Sequence, residues 1–225
     1  MKFEHCLIEL PKLERIHKDG TRFYKIPNSQ IEQTFVSITS VTSFFNREIF
    51  KKWRKRVGEE EANRITNRAT SRGTDTHTLV EAYTLNEELP EVQELSHKLF
   101  EIMKPALHRM GKIYGMELGM YSETLGIAGT VDCIAEFDGE LAIIDYKTAE
   151  KPKRRDWIDH YFVQAMAYGM MLHELTGLCV KKLVIIMACE SGDLIVYEER
   201  DLAKYMKLVV KYIKYFIKES TKNED

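Results

Sequence analysis

The amino-acid sequence predicts an α/β fold whose core is a mixed sheet of about five strands flanked by helices. Strand-like runs alternate with helical patterns after residue 111. Two hairpin patterns flank a strand, helix and strand crossover, so both antiparallel and parallel pairing are expected. Helices must then cover both faces of the sheet. The predicted elements are strands at 113–124, 128–137 and 140–147, a helix at 156–175, strands at 182–189 and 193–198, and a helix at 201–219.

Length and composition predict one folded domain. The 225 residues, 44% hydrophobic and 30% charged, exclude a disordered or fibrous chain and are sufficient for a buried core. At roughly 150 residues per domain, we expect a single domain with elaborations over 1–225. Its expected parts are an N-terminal β-rich elaboration at 1–45, a helical region at 46–110, the α/β core at 111–200 and a C-terminal helix at 201–219.

The first 45 residues are the hardest to assign. Short β-like runs, separated by turn signals such as Asp19-Gly20, lie at 3–10, 22–26 and 34–38. The pattern then becomes helical. We expect Thr39 or Ser40 to be the N-cap of a helix that extends through Phe45.

Several kinds of site and location are not expected. The four cysteines form no CxxC pair, which argues against a zinc or iron–sulfur site. No apolar run approaches the roughly 18–20 residues that cross a bilayer, so no membrane contact is expected. Residues 1–10 include two glutamates and no apolar targeting region. We therefore expect a cytoplasmic location, in a bacterial or phage-infected cell.

A hairpin signal in residues 131–147 brings two carboxylates together. Its strands join at Asp138-Gly139, the dipeptide favoured in a two-residue type I′ turn. This turn pairs residues whose numbers sum to 277, so Asp132 lies opposite Asp145 on one face. Their Cβ atoms should be about 4.5–5.5 Å apart, and two like charges there destabilise a sheet unless a cation lies between them.

Lys147 projects to the same face as Asp145 because strand side chains alternate. Carboxylate oxygens beside an ammonium group suit Mg²⁺ or Mn²⁺, which would polarise a phosphoryl oxygen and acidify a bound water. The set therefore predicts phosphodiester hydrolysis. The alternative is a surface ion pair worth about 0–1 kcal/mol. Nearly continuous apolar runs around these residues, typical of central strands, favour the metal site.

Four short motifs occur in a specific order. They are Arg72-Gly73-Thr74-x-x-His77-x-x-x-Glu81, Gly129-x-x-Asp132, Asp145-Tyr146-Lys147-Thr148 and Gln164-x-x-x-Tyr168. In this order and spacing the sequence resembles the PD-(D/E)XK nucleases. More narrowly it resembles their RecB-like branch, which includes phage exonucleases and the mitochondrial genome maintenance exonuclease.

The resemblance implies a restriction-endonuclease-like core with a catalytic divalent metal, Mg²⁺ or Mn²⁺. The implied metal ligands are His77, Asp132, Asp145 and the backbone carbonyl of Tyr146. Lys147 is the implied catalytic lysine. Gln164 and Tyr168, one helical turn apart, are expected to face the active site, where the amide can bind lysine, water or phosphate.

Two further acids are candidates for metal contact. Glu81 shares a helix face with His77, and Glu123 lies where relatives often carry an acid. Several relatives also carry four cysteines that bind an iron–sulfur cluster. This sequence lacks that pattern, so no iron–sulfur cluster is expected.

DNA is the partner that the resemblance implies, although the formal net charge is −2. Segment 47–56 has six basic residues and one acid, and segment 147–155 has five and one. Each lies beside a tryptophan that can stack on an unpaired base, and the alternative is solvated surface. Segment 81–101, with six acids and one lysine, is expected to face away from DNA. The candidate DNA contacts are Arg72, Thr74, Thr148, Lys151, Lys153, Arg154, Arg155, Trp53 and Arg54.

We therefore expect a metal-dependent DNA nuclease, an exonuclease on single-stranded DNA or DNA ends in replication, recombination or repair. The alternatives are a structure-specific endonuclease and a non-catalytic DNA-binding accessory protein with a vestigial fold. Cleavage polarity, DNA or RNA preference, the number of metals, protein partners and oligomeric state stay open.

Overall fold

The computed structural model describes residues 2–27 and 33–222. The strands within these residues are β1 (Glu14–Lys18), β2 (Thr21–Lys25), β3 (Thr34–Ser37), β4 (Met110–Ser122), β5 (Ile127–Phe137), β6 (Glu140–Ala149), β7 (Lys182–Cys189) and β8 (Leu194–Glu199). The α-helices are α1 (Ile38–Phe45), α2 (Arg47–Val57), α3 (Glu59–Thr84), α4 (Glu94–Leu107), α5 (Asp159–Thr176) and α6 (Leu202–Thr221). None of these helices is long and apolar enough to span a membrane.

The eight strands of the described residues form one mixed sheet with β5 at its centre. β4 pairs antiparallel with one edge of β5, whereas β3 and β6 share the other edge. β6 and β7 are parallel and are connected through α5, and β8 pairs antiparallel with β7. The strands β4 to β8 are the five that the sequence predicts, so the predicted mixed core is confirmed.

The N-terminal part extends this sheet by three strands instead of standing apart from it. β1 and β2 form a hairpin at the predicted turn, and β3 pairs in parallel with the start of β5. The predicted strand at 3–10 is wrong: this segment forms an isolated bridge between His5 and Ile113. The register of β4 shifts between Met110 and Gly115, which interrupts the edge against which a continuous strand would pair.

The N-cap of α1 also differs from the expectation. β3 leads directly into α1, and Ser37 keeps an extended backbone while its side chain accepts a hydrogen bond from the backbone N–H of Thr39. Ser37 therefore caps this helix, and Thr39 and Ser40 lie inside its first turn.

Helices cover both faces of the sheet, as predicted. α1, α5 and α6 pack on one face around residues such as Phe162, Met171 and Val209. α3 and α4 pack on the other face around Leu79 and Phe100. Every residue of β7 is buried, which explains its continuous apolar sequence. By contrast, α2 has no buried residue and lies at the periphery of the fold.

Candidate active site

The strands β5 and β6 separate where the two aspartates lie. Their ladder ends at the pair Cys133 and Ile144, so Asp132 and Asp145 are the next opposed residues. This is the register that the hairpin turn predicts. A cleft of about 660 Å³, here called the acidic cleft, opens at this point between the N-terminal hairpin, α3 and α5.

Three side chains from three elements meet in the acidic cleft. His77 of α3, Glu117 of β4 and Asp132 of β5 each offer a ligand atom, and these atoms lie within 4.8 Å of one another. Nδ1 of His77 is 3.9 Å from Oε1 of Glu117 and 3.7 Å from Oδ2 of Asp132. We call these three residues the metal cluster.

The backbone of Tyr146 holds this cluster together from β6. Its N–H donates to Oδ2 of Asp132 at 2.9 Å, and its carbonyl accepts from Nε2 of His77 at 2.8 Å. Burial lowers the pKa of His77, but the charge of Asp132 and the contact with Glu117 outweigh it and raise the pKa to about 9. A protonated imidazole therefore balances the two carboxylates here, and a metal would have to displace its proton.

Asp145 lies behind the cluster with 1% of its side chain exposed. Its Oδ1 accepts from Nε2 of Gln164 at 3.0 Å, and its Oδ2 lies 2.5 Å from Nζ of Lys147. Burial raises the pKa of Asp145 to about 6, although the nearby ammonium acts to lower it. In turn, burial lowers the pKa of Lys147, but the charges of Asp145 and Asp132 outweigh that effect and raise it.

The residues fit a divalent cation. A cation with ligand bonds of about 2.1 Å holds adjacent ligands about 3.0 Å apart and opposite ligands about 4.2 Å apart. The distances of 3.9 and 3.7 Å from Nδ1 of His77 to the two carboxylates lie between these values. The carboxylates are ligands that suit Mg²⁺ or Mn²⁺, and the single imidazole is the softer ligand of the set. Oδ2 of Asp145 is buried and, among the described residues, makes no hydrogen bond of good geometry. It also lies 2.5 Å from Nζ of Lys147, so a cation beside the cluster would share this oxygen with the ammonium group.

A family model described as the PD-(D/E)XK nuclease superfamily matches residues 44–208 of the chain. The chain belongs to the PD-(D/E)XK nuclease superfamily. This confirms the resemblance that the four motifs indicate. Nucleases of this superfamily use divalent metals, in agreement with the metal cluster.

Curated relatives of this superfamily member are named mitochondrial genome maintenance exonuclease 1. The human protein is 31% identical over 157 residues, which cover 64% of this chain and 45% of the human protein. The mouse protein is 30% identical over 125 residues, which cover 49% of this chain and 33% of the mouse protein. The chain thus spans less than half the length of these relatives. A solved structure from Eubacterium rectale, named "Putative exonuclease", matches with a TM-score of 0.48 and 13% identity over 66% of this chain and 65% of that one.

Gln164 and Tyr168 of the last motif occupy different environments. Gln164 contacts Asp145 directly. Tyr168 is 1% exposed and lies against Gly129, where an added Cβ would be 2.8 Å from the tyrosine ring. The glycine of the second motif therefore makes room for the tyrosine of the fourth. Tyr168 therefore supports β5 at the wall of the acidic cleft, which it lines, and its predicted role in the active site stays a prediction.

The two further acids proposed for metal contact lie in different places. Glu81 lines the acidic cleft, and burial together with the charge of Glu117 raises its pKa. Glu123 is exposed in the turn between β4 and β5 and does not reach the cluster. The prediction for Glu123 is therefore corrected to Glu117, which lies six residues earlier on the paired part of β4.

Glu117 could have been found from the sequence. The β4 and β5 ladder pairs residues whose numbers sum to 249, such as Leu118 with Val131, which puts Glu117 opposite Asp132. Assigning the turn to residues 123–126 would have been enough to compute this register. The backbone of Glu117 has a φ of +42°, which is rare for a residue with a side chain and often marks a functional position.

Arg72 is held by other protein groups and is not free for DNA. Its Nε donates to Thr148 at 3.1 Å, and its Nη1 pairs with the carboxylate of Glu190. This contradicts the predicted DNA contact of Arg72, because its Nε and Nη1 join α3 to the end of β6 and to Glu190. Thr148 only accepts a hydrogen bond here and keeps its O–H donor, so its DNA contact stays a prediction. Thr74 lines the acidic cleft, and its DNA contact stays a prediction.

The basic segment on α2 lines a second cleft of about 740 Å³, here called the basic cleft. Arg54 faces this cleft while it also pairs with Glu59 and donates to Asn63 at 2.6 Å. Trp53 stacks on Phe50 with ring centroids 5.2 Å apart. The basic cleft adjoins the acidic cleft, because Thr39 and Gln164 line both.

In the second basic segment, some side chains bond to other parts of the protein and others lie at the surface. Arg155 donates to Asp159, Glu199 and Tyr205, so its predicted DNA contact is corrected to a structural role. Arg154 pairs with Asp156 at the surface, and Lys151 is exposed.

A residue that the sequence analysis missed, Tyr161, lines the basic cleft. Nζ of Lys153 donates to the hydroxyl of Tyr161 at 2.7 Å, and Nζ of Lys147 lies 5.1 Å from the centroid of the same ring. Tyr161 thus contacts both the implied catalytic lysine and Lys153 of the second basic segment. Tyr161 belongs to none of the four motifs, so the sequence does not mark it as a site residue.

Proposed function

We propose that the chain is a Mg²⁺- or Mn²⁺-dependent deoxyribonuclease that acts as an exonuclease on single-stranded DNA or DNA ends. The convergence of His77, Glu117 and Asp132 beside Asp145 and Lys147 carries this proposal. The names of the curated relatives support exonuclease action. One continuous sheet supports the proposal that 1–225 acts as a single nuclease domain.

The protein residues have separable roles in this reaction. A bound divalent cation would polarise the scissile phosphate and acidify a water. His77, Glu117 and Asp132 would hold it, with Oδ2 of Asp145 beside them. The carbonyl of Tyr146 would orient the His77 ring through its hydrogen bond with Nε2. Lys147 would then place its ammonium group near the attacking water or the developing charge, and Gln164 keeps Asp145 oriented through its amide.

The basic cleft gives the strand a path away from the metal cluster. Arg47, Lys51 and Lys55 line it from α2, and Phe50 offers an aromatic surface. Phosphate contacts from such side chains position DNA without reading its sequence. We expect broad sequence tolerance and affinity that decreases as salt increases.

Cleavage of labelled DNA tests the proposal. Wild type should cleave with Mg²⁺ or Mn²⁺ and stop when EDTA is added, and Asp145→Asn and Lys147→Ala should lose at least about 10²-fold in rate. Lys181→Ala, at an exposed position outside both clefts, is the matched control and should behave as wild type. Undiminished cleavage by the two site variants would refute the mechanism.

Circular single-stranded DNA separates exonuclease from endonuclease action. An exonuclease leaves the circle intact and digests the same molecule once it is linearised. Strands labelled at the 5′ or the 3′ end, with RNA of the same sequence in parallel, then give polarity and sugar preference. Rapid loss of the circle would exclude the proposed exonuclease activity.

A further inference from the structure

The hairpin of β1 and β2 turns one face toward the acidic cleft. Its register pairs Arg15 with Tyr24 and His17 with Arg22. Paired residues share a face and side chains alternate along each strand, so these four side chains lie on the same side of the hairpin. Arg15, Arg22 and Tyr24 line the acidic cleft together with the metal cluster. The hairpin therefore adds two guanidinium groups to a cleft whose motifs supply mainly acids.

The hairpin is attached to the site by two hydrogen bonds. The hydroxyl of buried Tyr24 lies 3.1 Å from Oγ1 of Thr130, two residues before Asp132 on β5. The backbone N–H of Arg22 donates to Ser40 of α1 at 3.0 Å. These contacts fix the position of the arginine-bearing face relative to the metal cluster.

The two guanidinium groups have no acidic partner within the described residues. When only carboxylates of residues 2–27 and 33–222 are considered, nine of the twelve arginines lie within 4.0 Å of one. Arg15, Arg22 and Arg56 do not, and Arg15 instead lies 5.9 Å from the Tyr24 ring. On the opposite face of the same hairpin, Lys25 does pair with Glu14. The charge that faces the acidic cleft is thus available to a ligand.

We propose that Arg15 and Arg22 bind a phosphate of the nucleic-acid substrate next to the scissile bond, and this inference rests on the proposed nuclease function. The acids of the metal cluster repel a phosphodiester, whereas planar guanidinium groups bind phosphate oxygens in pairs. The ligand is either an internal diester or a terminal monophosphate, which share this chemistry. A terminal monophosphate would make the hairpin a selector of strand ends.

The test compares Arg15→Gln/Arg22→Gln with Lys18→Gln, which removes a charge from the other face of the same hairpin. Oligonucleotide binding by fluorescence anisotropy at several salt concentrations needs no cleavage. The double variant should reduce the magnitude of the slope of log affinity against log salt by about 0.7, because it loses the contact to one phosphate of a single strand. Lys18→Gln should keep the wild-type slope.

Kinetics with phosphorylated and unphosphorylated ends identify the source of the phosphate. The double variant should raise KM by at least about tenfold with little change in kcat. An equal increase for all substrates indicates an internal diester, and loss of a wild-type preference for a phosphorylated 5′ or 3′ end indicates a terminal monophosphate. An active double variant with unchanged KM and salt slope would overturn the inference. An inactive wild type would instead refute the proposed function. The anisotropy measurement would then still test whether the hairpin arginines bind phosphate.

Discussion

The link between α3 and the end of β6 depends on Glu190, which leads to a sharp stability prediction. Its carboxylate pairs with Arg72 and also accepts from Arg68 at 2.6 Å. Arg72 in turn donates to Thr148, which directly follows Lys147. Glu190→Gln removes the charge and keeps the shape, so it isolates the electrostatic part of this link.

The expected loss of stability follows from the burial of the Arg72 and Glu190 ion pair. Side-chain exposure is 10% for Arg72 and 18% for Glu190. Removing one partner of a fully buried pair costs about 3–5 kcal/mol because the other charge is left uncompensated. The water that reaches Glu190, and the amide oxygen that Gln retains, reduce this to about 2–3 kcal/mol. For a chain of this size the midpoint of thermal unfolding should fall by about 4–12 °C.

Urea denaturation followed by circular dichroism measures the loss. Glu61→Gln is the matched control, since it removes an exposed carboxylate that pairs with Arg64 on α3, and its unfolding curve should overlay that of wild type. Arg72→Gln should be destabilised like Glu190→Gln. If the unfolding free energy of Glu190→Gln is within about 0.5 kcal/mol of the wild-type value, the ion pair contributes no more to stability than a surface contact does. Should Arg72→Gln weaken DNA binding without any loss of stability, the original prediction that Arg72 contacts DNA would be restored.

Three further predictions follow from other parts of the structure. Gly129→Ala places a Cβ 2.8 Å from the Tyr168 ring and should cost about 1–3 kcal/mol in unfolding free energy, and a variant as stable as wild type would show that the ring can move away. Glu117→Gln removes one charged ligand and should weaken Mn²⁺ binding in calorimetry by at least about tenfold, whereas unchanged affinity would remove Glu117 from the site. Burial raises the pKa of Glu198, but hydrogen bonds from Lys182 and Arg109 outweigh it and hold the pKa below its ordinary value of 4.5. The folded state is therefore stabilised above pH 4.5 and loses this contribution as pH falls, so Glu198→Gln should flatten the acid side of the stability curve, and an unchanged curve would contradict the assignment.

The hairpin of β5 and β6 could be predicted from sequence because its register depends on local turn chemistry alone. Asp138 and Gly139 have φ values of +49° and +78°, as a type I′ turn requires. With the turn fixed, the alternation of a strand is enough to put Asp132 and Asp145 side by side. The same logic applies to β4 and β5, whose longer turn has no such dipeptide. Glu117 was missed for that reason.

The N-terminal strands could not be predicted in the same way, because their pairing is set by partners far along the chain. β3 joins the sheet through Ile127 and Ala128 of β5, about ninety residues later. Nothing in the sequence of 34–37 specifies that edge. The arginines of the β1 and β2 hairpin reach the acidic cleft only as a result of this pairing, and no local pattern marks them.

Runs of basic residues are a poor guide to a DNA footprint in a protein whose charges are nearly balanced. Arg54 and Arg155 lie in the two basic segments, yet each is engaged by an acid of the same chain. Arg15 and Arg22 lie outside both segments and have no such partner among the described residues. An ion pair must be broken before its cation can neutralise a phosphate and release a counterion from DNA, whereas an unpaired cation contributes at once. The salt dependence of DNA binding should therefore follow the unpaired charges along the clefts, not the number of basic residues in the sequence.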